Sequence, residues 1–263
     1  MSRRILITGA GTGLGRDAVF ALAARGHQVV ATTRDETQAL ALRLESERRG
    51  LRLDVRKLDV TSPADRQQVL DMQLDVLINN AAIGDAGSLA EVPVDRIRAT
   101  FEVNVFAALE LTQLALRGMI ERSNGTIVFV SSLGGRVPMR FMMPYSMSKF
   151  ALSAAGAGLR AEMDQLGRGI QVSLIEPGAF HTGFNQLLAA RKYDATGPQS
   201  YFAAQQEAMR LKGEKVVRFL ESRDTRCIVS KMVAAAEAKR PKVRYVAPRL
   251  QGAVVRFARI LGV

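Results

Sequence analysis

Short runs of aliphatic and β-branched residues alternate with longer stretches of helical spacing over the first two thirds of the chain. Arg4 to Thr8 (RILIT) predicts a strand, Leu14 to Arg25 a helix, Gln28 to Thr33 a strand and Thr37 to Arg49 a helix. The rhythm continues with a strand over Leu51 to Leu58, a short helix over 63–71, a strand over Asp75 to Asn79 and a long helix over 94–121. Gly125 to Ser131 (GTIVFVS) reads as a buried strand, Pro144 to Leu166 as a helix and Ile170 to Glu176 (IQVSLIE) as a strand. Near-continuous apolar strands separated by helices imply a parallel sheet, right-handed crossovers and helices on both faces. The expected fold is therefore α/β, a doubly wound, Rossmann-type sheet forming one domain over residues 1–263.

From Gly183 to Arg223 the strand rhythm stops. Apolar positions at Phe202, Met209, Val216, Phe219 and Leu220 predict helices that form a flap. Val243 to Ala247, bracketed by Pro241 and Pro248, reads as a late edge strand.

Composition narrows the class. Of 263 residues 48% are apolar and 24% charged, enough for a buried core and unlike disordered or fibrous chains. No uninterrupted apolar stretch approaches the roughly 20 residues of a membrane helix, and MSRRILITGAG lacks a secretory pattern, so neither a transmembrane segment nor a leader is expected. One cysteine, Cys227, and two histidines exclude an intramolecular disulfide and a Cys/His metal cluster, and suggest a cytoplasmic compartment. The net charge of +12 is uneven, because residues 223–263 hold ten Lys/Arg against Asp224 and Glu237. No helix-turn-helix, zinc or aromatic RNA-binding signature accompanies that charge, so nucleic acid is not an expected partner. The final stretch, LQGAVVRFARILGV, mixes apolar residues with Arg256 and Arg259 and reads first as a subunit contact, second as a membrane-surface segment.

The first strand runs directly into Gly9-Ala10-Gly11-Thr12-Gly13-Leu14-Gly15 and then a helix. Glycines there allow a tight turn and close approach of backbone N–H groups to a pyrophosphate, beside the positive end of the helix. Dinucleotide sites that prefer NAD place an acid after the second strand; this chain has Thr33-Arg34, followed by Asp35. A cation beside the ribose suits a 2′-phosphate, so NADP is expected over NAD, with Arg34 assisted by Thr12 and Arg16.

Tyr145 and Lys149 lie four apart on a predicted helix and so share a face. An ammonium near a phenol favours the phenolate, lowering its pKa from about 10 and fitting it for proton exchange with a carbonyl/alcohol pair. Ser132 follows the buried strand, at the carboxyl edge of the sheet where open α/β folds bind ligands. TGAGTGLG, Asp59 in LDV, Asn79-Asn80-Ala81-Ala82, Asn104, Ser132, Tyr145-Ser146-Met147-Ser148-Lys149 and Pro177-Gly178 through Thr182 together resemble the short-chain dehydrogenase/reductase family over residues 4–182. The SSLGG and VVATTRD stretches are similar to the branch holding 17β-hydroxysteroid and retinol dehydrogenases.

The resemblance implies an enzyme that interconverts a ketone or aldehyde with an alcohol using a nicotinamide dinucleotide. Tyr145 would be the acid/base, Lys149 would hold the nicotinamide ribose, Ser132 the substrate oxygen and Asn104 a relay water. Gly9, Thr12, Gly13, Leu14 and Gly15 would hold the pyrophosphate. Asp59 and Val60 would hold the adenine, Asn80, Ala81 and Ala82 the adenosine ribose side, and Pro177, Gly178 and Thr182 the nicotinamide side. A homodimer or homotetramer through the helices at 94–121 and 144–166 is implied too. Two features depart from the family: Ala82 replaces its glycine, and the stretch from Asp59 to Asn79 is one to two helical turns short. Met139, Met142, Met143 and Phe141, with Phe180, Phe184, Leu187 and Leu188, suggest a wall for a bulky, apolar carbonyl compound. The other class of function considered is a cofactor-binding regulator that keeps the fold without turnover.

Overall fold

Strands that are apolar on both sides can be satisfied only in a sheet covered on both faces, and the chain builds one. The computed structural model describes residues 2–194 and 199–262, without the side chains of 192–194, 206, 212, 214 and 216–219. Val216 and Phe219 of the expected flap therefore lie outside the described side chains, as residues 195–198 lie outside the described backbone. Seven parallel strands run in the order β3-β2-β1-β4-β5-β6-β7. They are β1 (Arg4–Ile7), β2 (Gln28–Thr33), β3 (Asp54–Lys57), β4 (Val76–Asn79), β5 (Gly125–Val130), β6 (Ile170–Pro177) and β7 (Arg244–Ala247).

Alternation along β1 shows how the two cores arise. Ile5 and Ile7 enter a cluster with Val19 and Leu22 of α1 (Gly13–Ala23) and with Ile228 and Met232 of α9 (Arg226–Glu237). Leu6, pointing the other way, joins Leu111 and Met119 of α5 (Ala107–Glu121) and Leu152 of α6 (Met143–Leu166). Chain order reverses beside β1, which pairs with both β2 and β4, and such a reversal opens a crevice at the carboxyl ends of the strands.

The remaining elements refine the expected pattern. α2 (Glu36–Arg48) is capped by Asp35, while α3 (Pro63–Gln67) starts after a Ser62 cap and passes into a 3-10 turn at 68–72, in keeping with the short segment anticipated there. The long helix expected over 94–121 forms as one continuous path made of α4 (Val94–Phe101), a π-helical turn over Glu102–Phe106, and α5. That path is long and apolar enough to cross a membrane by length and composition, yet 56% of its most apolar window is buried inside the protein. The flap contains α7 (Phe184–Asp194) and α8 (Gln206–Leu220). The basic segment after 223, read as one block, separates into core helix α9, edge strand β7 and surface helix α10 (Arg249–Ile260).

Helix α6 lies close to the sheet because Gly156 faces it. A Cβ there would sit 2.9 Å from Leu174 Cδ2 and 3.1 Å from Phe129 Cδ2, whereas nothing lies within 4 Å of a Cβ at Gly158. Gly156→Val should therefore cost about 1–3 kcal/mol. Gly158→Ala should gain about 0.5–1 kcal/mol from helix propensity. Urea denaturation midpoints of the two variants check this opposite pair of signs.

Candidate active site

The glycine turn after β1 is held by hydrogen bonds from the neighbouring strand. Thr8 Oγ1 accepts the backbone N–H of Asn80 and of Ala81, both at 3.0 Å, and Asn80 Nδ2 donates to the carbonyls of Thr8 (2.9 Å) and Gly9 (3.1 Å). Gly9 has a φ of +66°, and a Cβ there would lie 2.8 Å from Ala81 Cα. At Gly15 a Cβ would meet Gly9 O at 2.5 Å. Thr12 precedes α1 without a side-chain cap, and no acid occupies the first turn, so the N–H groups of Gly13, Leu14 and Gly15 face the crevice with the positive end of the helix dipole. Thr182, carried by the loop that begins at Pro177 and Gly178, reaches the turn itself: a Cβ at Gly13 would be 3.2 Å from Thr182 Cβ. These groups suit a dinucleotide pyrophosphate.

At the adenine end, Asp59 follows β3 and accepts the N–H of Thr61 at 2.9 Å and its hydroxyl at 2.8 Å. Val60 is buried beside it, and its carbonyl accepts from Arg66. Arg34 extends into solvent, 72% exposed, at the end of β2. Asp35 turns away into α2, where Gln38 donates its backbone N–H and its Nε2 to the two carboxylate oxygens, each at 2.9 Å. Arg16 does not join this site. Its guanidinium grips Glu45 and lies over the Phe20 ring, because the helical register carries it to the side of α1 that faces α2.

The polar catalytic candidates converge where β5 ends against α6. Ser132 Oγ accepts the Gly134 N–H at 3.0 Å and donates to Pro177 O at 3.5 Å; a Cβ at Gly134 would lie 3.4 Å from Ser132 Oγ and 3.7 Å from Tyr145 Cε1, which sets the two side chains next to one another. Ser131, one residue earlier, is buried and ties the strand to the helix by donating to Lys149 O (3.1 Å) and accepting from Ser153 Oγ (2.6 Å). Lys149 Nζ, also buried, donates to Val130 O at 2.9 Å and stands 5.8 Å from the Tyr145 ring centre. Asn104, in the π-helical turn, clamps the loop after β4: Oδ1 accepts the Ile83 N–H (2.8 Å), and Nδ2 donates to Ile83 O and to Ser148 Oγ (both 2.9 Å). Ser148 in turn donates to Tyr145 O at 2.7 Å.

Burial, not mutual attraction, sets the ionisation of this pair. It pushes the Tyr145 phenol up to about 12, opposed by the adjacent Ser132 hydroxyl, and pulls Lys149 down to about 7. The expected lowering of the phenol by the ammonium is absent because Nζ bonds the Val130 carbonyl rather than the phenol oxygen.

A hydrophobic lid covers the phenol. Phe184 lies 5.3 Å from the Tyr145 ring, with Ala86, Met142 and Leu188 in the same cluster, while Phe141 meets Phe202 edge-on at 5.1 Å. Two residues expected in this wall lie elsewhere. Phe180 alternates inward to the α9 side of the core, and Leu187 points to solvent on the outer face of α7. His181 is held by Glu221 at 2.8 Å. Sequence reasoning missed Ser148, although its spacing of three from Tyr145 places it in the same helical turn, and Asp85, a buried acid paired with Arg96 whose carbonyl accepts the Tyr145 N–H at 3.3 Å.

Because the folded protein holds Lys149 near 7 and an unfolded chain near its ordinary value of about 10.5, the unfolded state binds more protons between those values. Stability should thus rise with pH across that interval, and Lys149→Met should lose this component. Thermal unfolding from pH about 6 to about 10 checks it, as the difference in slope between the two proteins.

The chain matches the family model described as short chain dehydrogenase over residues 3–192. It is 33% identical over 222 residues to an uncharacterized oxidoreductase of Myxococcus xanthus, covering 82% of this chain and 84% of that one. It is 34% identical over 209 residues to human retinol dehydrogenase 8, covering 75% and 67%. Matches to other relatives span as little as 58% of their length. The fold is shared with a short chain dehydrogenase/reductase of Burkholderia phymatum in complex with NAD, with a TM-score of 0.82, 22% identity and coverage of 99% and 95%. It is shared also with a short-chain dehydrogenase of Sphingobium yanoikuyae in complex with NADPH, with a TM-score of 0.74, 22% identity and coverage of 99% and 92%. The glycine turn, the Ser132, Tyr145 and Lys149 cluster and the seven-stranded parallel sheet thus have one explanation: the chain belongs to the short-chain dehydrogenase/reductase family, whose members are NAD(P)-dependent oxidoreductases.

Proposed function

We propose that the protein is an NADP(H)-dependent oxidoreductase that interconverts a bulky, apolar ketone or aldehyde with the corresponding alcohol. The observation that carries this reading is the placement of Ser132 and the buried Tyr145 side by side, both against the turn at Gly134 and under an apolar lid, on the sheet edge that also carries the glycine turn. The dinucleotide supplies a hydride when bound. Tyr145 keeps its proton at neutral pH and gives it to the carbonyl oxygen during reduction, while Ser132 orients that oxygen by a second hydrogen bond. Lys149 holds a donor group beside the phenol, suited to a ribose hydroxyl, and Asn104 and Ser148 fix the helix turn that carries Tyr145. Phe184, Leu188 and Met142 exclude water and favour an apolar substrate, which has to displace part of this lid to reach the phenol.

The choice of NADP rests on the exposure of Arg34, which reaches Asp35 only by an ion pair at 3.7 Å and can turn to a 2′-phosphate, while both Asp35 oxygens are engaged by Gln38, which competes with a ribose hydroxyl for them. An oligomer formed through the α4 to α6 face is favoured by Phe106 and Phe150, exposed there.

Tyr145→Phe should lower kcat by about 10²–10⁴-fold while NADPH binding, followed by fluorescence quenching, stays unchanged. Undiminished turnover would overturn the assignment of the acid/base. Arg34→Ala should raise the KM for NADPH roughly ten- to a hundred-fold and leave that for NADH nearly unaltered. Equal effects on both cofactors would remove Arg34 from a phosphate site.

A further inference from the structure

Helix α10 wears its amphipathicity inside out. Surface helices normally turn their apolar stripe to the core, but α10 buries none of its residues and docks through its polar and small side. Gln251 accepts the Ala179 N–H (2.9 Å) and donates to Leu220 O (2.7 Å), and the backbone at Gly252 lies so near β7 that a Cβ would meet Val246 Cγ1 at 2.5 Å. The opposite side presents Leu250, Val254, Phe257, Ile260 and Leu261, each 61–77% exposed, at the spacing of one helical stripe. Arg249 and Arg256 flank that stripe on one side.

Charge selects the occupant. Residues 238–263 contain seven Lys/Arg and no Asp or Glu, and of these Arg244 is matched by the buried Glu176. A second copy of this chain, meeting α10 by two-fold symmetry, would set the same arginines against each other with no acid from either segment. An anionic bilayer surface instead offers hydrocarbon for the stripe and phosphate for the arginines. We propose that α10 lies in the interface of an anionic membrane, Phe257 and its neighbours among the acyl chains and Arg249 and Arg256 at the headgroups. The helix also touches the turn Leu133–Gly135 that follows Ser132, so docking sets the mouth of the candidate active site beside the bilayer.

The test is sedimentation of the full-length protein with phosphatidylcholine vesicles, with and without about 30 mol% phosphatidylglycerol. The wild type should sediment with the anionic vesicles and many-fold less with neutral ones, and salt should release it. Val254→Asp with Phe257→Asp should weaken partitioning at least about ten-fold, and each of Arg249→Gln and Arg256→Gln about five-fold. Far-UV circular dichroism melts should be unchanged, since every substituted side chain is exposed. Equal sedimentation of wild type and the double aspartate variant would overturn the proposal. So would a wild-type oligomer that the double variant dissociates, which would make the occupant a second copy. None of these readouts depends on catalysis.

Discussion

A lysine ammonium buried at the junction of a strand and a helix is the constraint around which this site is arranged. Lys149 gives up most of its hydration, for which a single carbonyl, that of Val130, is a meagre replacement, and its affinity for a proton falls accordingly. Such a group persists only where its surroundings are fixed. Ser131 joins β5 to α6 on either side of it, Gly135 packs against its backbone, and Ser148 and Asn104 lock the preceding turn to the loop after β4. The same bonds fix the helical turn that carries Tyr145 beside Ser132. A dinucleotide bound nearby would restore to Lys149 the hydroxyl partners that burial removed, which couples cofactor binding to the ionisation of the acid/base centre.

The cofactor side depends on a different economy of bonds. One threonine hydroxyl, Thr8 Oγ1, accepts two backbone N–H groups from the loop after β4, while the first-turn N–H groups of α1 are left to face outward. Asn80 takes part in this knot through its Nδ2, which is engaged by two carbonyls. The Ala82 departure is accommodated next to it, because the knot draws on Thr8, Gly9 and Asn80 and not on residue 82.

Much of the fold was legible because parallel strands buried on both faces leave uninterrupted apolar runs, as in GTIVFVS and IQVSLIE. The candidate site was legible where a backbone demand forces a residue type, as at Gly9 and Gly15, or where helix spacing fixes a shared face, as for Tyr145 and Lys149. What escaped was long-range. The π-helical turn follows from a hydrogen-bond exchange between Asn104 and Ile83, 21 residues apart, and the place of Arg16 from its partner Glu45, 29 residues on. Neither pairing leaves a periodic trace. The segment that forms helix α10 was legible as a contact surface from its mix of apolar residues and arginines, but period alone does not say which side of a helix faces the protein.

The most direct measurement of the central claim is the fate of the hydride. The protein is incubated with NADPH carrying deuterium at the transferable position and a panel of apolar ketones, and the alcohols are examined by mass spectrometry. The account predicts one deuterium on the carbinol carbon with the wild type and none with Tyr145→Phe. Tight NADPH binding with no deuterium in any product, from NADPH or from NADH, would contradict it and leave a dinucleotide-binding protein without turnover.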